Sequence, residues 1–303
     1  MTELPPSLNL GPVTVYFGEK SGKYPDGNQV MVRGRDATVA FDTPPVAHRM
    51  AATLAEADLV ILGHVHEDHM AGLPLLPRVP VQVHQADLAA ARSWAGLSRH
   101  YGYPDSVLAE MRPRIEREFH YAPRPDAQGY AEGTVWELGG VRVRALHLPG
   151  HTAGHCVLLV EPQGIAFIGD IDLSSFGPYY GDASSSLADF RRSLARLAAL
   201  PASAWITSHH KGVVTERARF EELLAAYAAR LDERAADLLR LLEAGPQTLA
   251  ALAARHLVYP PEHQAEWVDA VERRTIAQHL DDLLAEGRVR AEGDGDFVRY
   301  CLA

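Results

Sequence analysis

The stretch HVHEDHMAG, residues 64–72, places three histidines and one aspartate within six positions. It follows ADLVILGH (57–64), a continuous apolar run of the kind found in a strand that is buried on both faces. Residues two apart in an extended segment point the same way, so His64 and His66 can share one metal ion. Asp68 and His69 lie where the turn becomes a helix and would face a neighbouring ion. Any one of these side chains is adequately explained as an ordinary polar residue of a surface loop. The whole pattern is not explained in this way.

Further histidines and aspartates follow apolar runs elsewhere in the chain. Side chains that come just after a buried strand gather at one edge of the sheet, so these residues and those of 64–69 are expected to meet. The pattern therefore predicts a metal site at that edge. The residues are Asp42 after ATVAF, His151 in PGHTAGH, Asp170 after GIAFIG, and the pair His209 and His210 after AWITS.

Together these motifs resemble those of the metallo-β-lactamase superfamily over residues 10–213, about two thirds of the chain. The resemblance implies an α/β fold, the four-layer αβ/βα sandwich, and a site for two divalent metal ions. It implies that Asp170 bridges the ions, that Asp68 and Asp170 are the catalytic carboxylates, and that Asp42 hydrogen-bonds and orients a ligand. The implied ligand sets are His64, His66 and His151 for one ion, and Asp68, His69 and His209 for the other, with His210 as the alternative last ligand.

The implied chemistry is hydrolysis. Two cations about 3.5–4 Å apart share a water whose pKa falls to around 7, which gives a metal-bridging hydroxide at neutral pH. The expected substrate is a small ester, thioester or lactone, as in the glyoxalase-II-like branch that carries a C-terminal winged helix. A nuclease and a sulfur dioxygenase with a single iron are the alternatives. Zinc suits these ligands, and iron or manganese would also fit them.

Three residues near the predicted rim are candidates for substrate binding. Lys211, one of only three lysines, follows the last histidines and would receive a substrate anion. Tyr179 and Tyr180 lie in SSFGPYYGD (174–182), just beyond Asp170, and would wall the pocket. Packing of that loop would explain the two tyrosines equally well, and Lys211 is equally well explained as an ordinary lysine in contact with solvent.

The composition restricts the partners. The chain has 303 residues and a formal net charge of −10, which disfavours nucleic acids and anionic membranes as partners. Its two cysteines lie far apart and give no disulfide framework, which is typical of a reduced, cytoplasmic protein. The sequence shows neither a signal peptide at its start nor an apolar run of membrane-spanning length. We therefore expect a cytoplasmic enzyme with a small-molecule substrate.

After Thr215 the sequence changes from short apolar runs separated by turns to helical stretches. We assign residues 1–214 to the catalytic domain and residues 215–303 to a helical linker and a winged-helix-like domain, in which three helical stretches precede a hairpin around Gly293-Asp294-Gly295. Residues 235–303 contain twelve Asp and Glu against seven Arg, a balance of −5. A DNA reader needs a basic face. We therefore expect this part to cap the pocket or to mediate homodimerisation.

Overall fold

Two β-sheets pack face to face in the computed structural model, which describes residues 4–293 and 298–303. The strands of the first sheet lie in chain order, with β1 to β4 antiparallel and β4 to β7 parallel. These strands are β1 (Ser7–Leu10), β2 (Val13–Tyr16), β3 (Gln29–Arg33), β4 (Thr38–Phe41), β5 (Leu59–Leu62), β6 (Val81–His84) and β7 (Gln128–Tyr130).

The second sheet has six strands, also in chain order, and its pairs are antiparallel except for the parallel pair β11–β12. Helix α5 (Leu187–Ala198) makes the crossover between these two strands. The strands are β8 (Val135–Glu137), β9 (Arg142–His147), β10 (Cys156–Glu161), β11 (Ile165–Gly169), β12 (Ala204–Thr207) and β13 (Val213–Val214).

Strand periodicity explains the layers. In β3, Val30 and Val32 enter the core between the two sheets, whereas Met31 points to the opposite face, where helices cover the first sheet. The continuous apolar run of β5 behaves in the same way, with Ile61 inward and its neighbours outward. The predicted αβ/βα sandwich is confirmed. The helices over the first sheet are α1 (Ala51–Leu54), α2 (Leu88–Arg92), α3 (Trp94–Tyr101) and α4 (Asp105–Glu118).

The segment of residues 104–130, between β6 and β8, contains α4 and β7. Helix α4 forms despite an internal Pro113 because Leu108, Met111 and Ile115 recur at helical spacing and are buried in the core beneath the first sheet. Tertiary burial therefore outweighs the unfavourable composition of this segment.

Helix α6 (Arg217–Leu242) connects the sandwich to the C-terminal region. Its first half covers the second sheet, where Phe220 stacks on Trp205 with ring centroids 4.0 Å apart. Burying such a ring contributes about 1.5–3 kcal/mol. Its second half, through Leu238 and Leu242, belongs to a separate small core with the remaining C-terminal elements. These are α7 (Leu249–Ala253), α8 (Val268–Ala285), β14 (Val289–Glu292) and β15 (Arg299–Leu302).

The predicted C-terminal helical region is therefore present, with β14 and β15 paired as an antiparallel hairpin. The predicted Gly293-Asp294-Gly295 turn falls, after Gly293, outside the described residues. The winged-helix assignment and the division at residue 214 stay predictions. None of the described helices combines the length and apolar composition that a membrane crossing requires.

Candidate metal centre

The carboxyl ends of five strands meet at one edge of the sandwich. Strands β4 and β5 are parallel neighbours in the first sheet, and β9, β11 and β12 run in one direction in the second. Each of these strands is followed by His or Asp side chains. The side chains are Asp42 after β4, His64 to His69 after β5, His151 after β9, Asp170 after β11 and His209 after β12.

The first ligand set consists of His64, His66 and His151. The Nε2 atom of His64 lies 3.2 Å from Nδ1 of His66, and Nε2 of His151 lies 3.2 Å and 3.1 Å from those two atoms. Nitrogen ligands at 2.0–2.1 Å from a tetrahedral zinc ion would be about 3.3 Å apart. The three nitrogens therefore converge with the spacing that one metal ion requires.

The second ligand set consists of Asp68, His69 and His209. Oδ2 of Asp68 lies 3.1 Å from Nε2 of His209 and 3.5 Å from Nε2 of His69. All three residues are buried, and their ligand atoms lie close enough together to hold one ion. His210 takes no part in this set, because its Nε2 atom lies 3.5 Å from Oδ2 of Asp172.

Asp170 lies between the two sets. Its Oδ2 atom is 3.4 Å from Nε2 of His151 and 3.9 Å from Nε2 of His64. Its Oδ1 atom is 3.2 Å from Nε2 of His69 and 3.4 Å from Nε2 of His209. One carboxylate oxygen thus faces each ligand set, which is the arrangement that a bridging ligand requires.

The donor atoms of the two sets are better satisfied by metal ions than by hydrogen bonds to one another. Asp68 Oδ2, His69 Nε2 and Asp170 Oδ1 are buried, and none of them completes a hydrogen bond with any residue that the structure describes. Burying such atoms without a partner costs about 1–3 kcal/mol each. Divalent cations would satisfy all three, and mixed nitrogen and carboxylate donors suit zinc, iron or manganese.

The electrostatics of the protein alone show what the cations would replace. Burial lowers the pKa of His151 to about 3, so this ring is neutral. Burial alone would lower the pKa of His66 and of His209. The carboxylate of Asp182 beside His66, and those of Asp170 and Asp68 beside His209, outweigh this effect and raise both pKa values to about 9. Protons on these two rings balance the buried carboxylates. Metal binding would release those protons.

Asp42 supports the second set from the end of β4. Its Oδ2 atom lies 2.8 Å from Nδ1 of His69, and its Oδ1 atom accepts the backbone N–H of Gly63 at 2.7 Å. Asp42 is also near enough to His64 and His69 to form a group of potential ligands with them. Since both of its oxygens are engaged, we assign it the orienting role expected from the sequence.

Three buried side chains that the sequence analysis did not assign hold the ligand loops. Asp87 accepts hydrogen bonds from Val65 N, Thr152 Oγ1 and Gly154 N at 2.7–3.2 Å and so ties the loop after β5 to the loop after β9. His155 Nε2 accepts the backbone N–H of Asp170 at 3.3 Å. Asp182 Oδ2 lies 2.8 Å from Nε2 of His66. Asp87 follows β6 by three positions and so carried the same positional signal as the ligands, whereas His155 precedes β10 and Asp182 lies in the long connection between β11 and α5.

The three substrate-binding candidates lie in different surroundings. The ring of Tyr179 is 5.7 Å from that of His151, so this residue walls the first ligand set. Tyr180 is buried, and its hydroxyl bonds His279 at 2.7 Å and Arg234 at 3.2 Å, towards the C-terminal helices and not the metal-binding residues. Lys211 is exposed beside His210. We therefore retain Tyr179 and Lys211 as candidates and assign Tyr180 to the packing of its loop.

Comparison with known proteins agrees with this geometry. The chain is 29% identical over 235 residues to a hydroxyacylglutathione hydrolase of Acidiphilium cryptum, covering 78% of this chain and 81% of that protein. It is 27% identical over 186 residues to an atrochrysone carboxyl ACP thioesterase of Aspergillus novofumigatus, covering 58% of this chain and 48% of that protein. The chain thus spans about half the length of the thioesterase.

The crystal structure of a metallo-beta-lactamase family protein from Thermus thermophilus has the same fold, with a TM-score of 0.70 at 26% identity. The match covers 97% of this chain and 99% of that chain, and so includes the C-terminal region. The sequence profile of the Metallo-beta-lactamase superfamily matches residues 27–209, which include both ligand sets and Asp170. The chain therefore belongs to the metallo-beta-lactamase superfamily and is one of its metal-dependent hydrolases.

Proposed function

We propose that the chain is a binuclear hydrolase of small acyl thioesters, with esters and lactones as the wider substrate class. The observation that carries this proposal is the carboxylate of Asp170, with one oxygen facing each of two complete ligand sets. Two relatives support the choice of thioesters, since one is named for an acylglutathione and the other is named a thioesterase.

In the proposed reaction, water adds to the acyl carbonyl, the carbon–sulfur bond breaks, and a carboxylate and a thiol leave. When bound, the two cations supply a water of lowered pKa and polarise the scissile carbonyl. The protein residues hold the geometry. Asp170 fixes the spacing of the two sets, and Asp68, buried beside His69 and His209, is the proposed acceptor for the proton of the attacking water.

Aromatic side chains flank both ligand sets and would limit access of bulk water. Tyr179 lies beside His151 and His66, with ring centroids 5.7 Å and 6.3 Å away. Tyr24 lies 6.4 Å from the ring of His209 and 5.9 Å from that of Phe119. We propose that the substrate enters between these two walls and that Lys211 at the rim receives an anionic group of the substrate.

The test is metal analysis together with a substrate screen on the purified full chain. After reconstitution with zinc we expect two metal ions per chain and hydrolysis of an S-acylglutathione or an aryl thioester. Lactone and phosphodiester substrates are assayed in parallel. At most one metal ion per chain would favour the single-iron alternative, and cleavage of phosphodiesters alone would favour a nuclease.

A further inference from the structure

We infer that the loop of residues 171–186, here called the Asp182 loop, positions two ligands of the first set and is itself held by the C-terminal helix α8. Asp182 and Arg274 are the residues that carry this inference. It rests on the proposed two-metal site, but it concerns how this chain's own side chains prepare that site.

Asp182 orients His66. Its carboxylate is fully buried, and Oδ2 lies 2.8 Å from Nε2 of His66. A carboxylate only accepts hydrogen bonds, so Nε2 keeps its proton, and Nδ1 is the nitrogen whose lone pair would face the first set once metal binding has released the second proton. Carboxylates that accept the second N–H of a metal-binding histidine fix its tautomer and its ring orientation.

The same loop orients His151. The backbone carbonyl of Tyr179 accepts the Nδ1–H of His151 at 3.0 Å, which leaves Nε2 free to face the metal site. The hydroxyl of Ser185 donates to the backbone carbonyl of His151 at 2.6 Å. Two of the three ligands in the first set therefore have their second ring nitrogen held by the Asp182 loop.

Asp182 is held in turn by its neighbours. Its Oδ1 atom accepts the hydroxyl of Tyr103 at 2.5 Å and the hydroxyl of Tyr179 at 3.1 Å. Its backbone N–H donates to Ser185 Oγ at 3.2 Å. With all of these bonds made, the carboxylate has one defined position relative to His66.

Helix α8 binds the loop through hydrogen bonds and packing contacts at the residues next to Asp182. The guanidinium of Arg274 donates to the backbone carbonyls of Gly181 at 3.2 Å, Tyr101 at 2.9 Å and Gly102 at 2.8 Å. Gln278 donates to the carbonyl of Tyr180 at 2.9 Å. The backbone of Gly181 packs so closely on α8 that an added Cβ atom would lie 2.3 Å from Cγ1 of Val271. The C-terminal region is thus a support of the metal site.

The experiment measures metal affinity and needs no substrate. Zinc binding to the full chain is titrated against a competing chelator, and the absorption spectrum of the cobalt-loaded protein reports the geometry of each site. In D182N we expect one of the two sites to bind zinc about 10–100-fold more weakly, the range seen when such orienting partners are changed. In R274Q we expect the same site to weaken by about 2–30-fold, as for coupling through a supporting residue.

The matched control is R273Q, because Arg273 lies on the same helix but pairs with Asp269 at a half-exposed position. It should leave both affinities unchanged. The milder variant Y103F removes one of the hydroxyl groups that donate to Asp182. It replaces D182N in the comparison if D182N fails to fold, and it should weaken zinc binding at the same site measurably. Circular dichroism and the Tm of the metal-free proteins identify variants that lose metal through unfolding.

Unchanged affinities in D182N, or in Y103F where D182N does not fold, would overturn the role of Asp182. Equal affinities in R274Q and R273Q would overturn the role of α8. A wild-type chain that binds fewer than two metal ions would instead refute the proposed function, and the titration of the wild type shows this before any variant is compared.

Discussion

The two ligand sets lie side by side, but they are supported by different parts of the molecule. In the second set, Asp42 at the end of β4 holds Nδ1 of His69, and the backbone carbonyl of Gly22 lies 2.8 Å from Nδ1 of His209. In the first set, the supports of His66 and His151 come from the Asp182 loop. The second ligand set is thus supported by the first sheet and its β2–β3 connection. The first ligand set depends on the Asp182 loop, which is held by the C-terminal helices.

This difference indicates that the two sites can fail separately. Changes in the first sheet should weaken the second set, while changes in the C-terminal helices should weaken the first. Asp170 is the exception, because one of its oxygens faces each set. The following predictions test this division, beginning with the residue that the two sets share.

Replacing Asp170 by asparagine should have the largest effect. The neutral amide cannot bridge two cations as a carboxylate does, so the second metal should bind weakly and turnover should fall. Removing such an electrostatic element costs about 10²–10³ or more in rate. The comparison variant is Lys211→Ala, which should raise KM more than it lowers kcat. Near-full turnover with both metals retained in Asp170→Asn would contradict the bridging role.

Arg234 of α6 also holds the Asp182 loop. It is buried, and its guanidinium donates to the carbonyls of Pro178 and Phe176 and to the hydroxyl of Tyr180. Arg234→Met keeps the apolar stem but leaves these acceptors unpaired, so the free energy of unfolding should fall by about 2–4 kcal/mol.

Chemical denaturation measures this loss, and Arg240→Met, at an exposed position of the same helix, is the control that should change little. Zinc should also leave the first set of Arg234→Met more readily than the second. Equal stability of the two variants would show that the loop does not depend on α6.

The sequence brought these candidate ligands to one edge because each lies just after an apolar strand, where burial and position can be read locally. His64 to His69, His151, Asp170 and His209 all lie at the edge where they were expected. Asp182 was missed because it lies in a loop, twelve positions after Asp170, and its partner His66 is 116 positions away in the chain. Only the tertiary fold brings the two together.

The choice between His209 and His210 likewise needed the structure, because both follow β12 directly. The backbone turns sharply after His209, and His210 adopts a left-handed conformation with φ of 60°. This turn directs the His210 ring to Asp172 and leaves His209 beside Asp68. Tyr180 is a similar case, since a tyrosine that packs the loop and one that walls the pocket have the same sequence signal.

Asp42 allows the support of the second set to be tested alone. Asp42→Asn should weaken zinc binding at one site by about 10–100-fold, because the amide holds Nδ1 of His69 less well than a carboxylate does. The same chelator competition used for D182N measures it. The site weakened by Asp42→Asn should differ from the site weakened by D182N, and the two cobalt spectra should differ accordingly. Loss of the same site in both variants would break the division between the two supports.

The smallest predicted effect concerns the pH dependence of stability at the contact between the Asp182 loop and α8. His279 of α8 is buried against the hydroxyl of Tyr180. Burial, together with the positive charges of two arginines, lowers its pKa to about 3, while an aspartate raises it slightly. Tyr180 of the loop, Arg191 of α5, and Asp232 and Arg234 of α6 lie around it, and the cavity that it lines also contains the charged side chains of Asp282, Glu286 and Arg288.

Because the folded chain keeps His279 neutral, acid should favour the unfolded chain. An unfolded histidine has a pKa near 6.5, so as the pH falls below about 6.5 the unfolded chain takes up a proton that the folded chain does not. The contribution to stability is present above pH 6.5 and is lost progressively towards pH 3, by about 1.4 kcal/mol at pH 5.5. His279→Gln removes the titration but keeps a side-chain amide near Tyr180. Urea denaturation of the chelator-treated proteins at pH 7.5 and 5.5 should show a smaller pH-dependent loss in His279→Gln than in the wild type, with the other histidines common to both. Parallel losses would show that the contact between His279 and Tyr180 does not make the stability depend on pH.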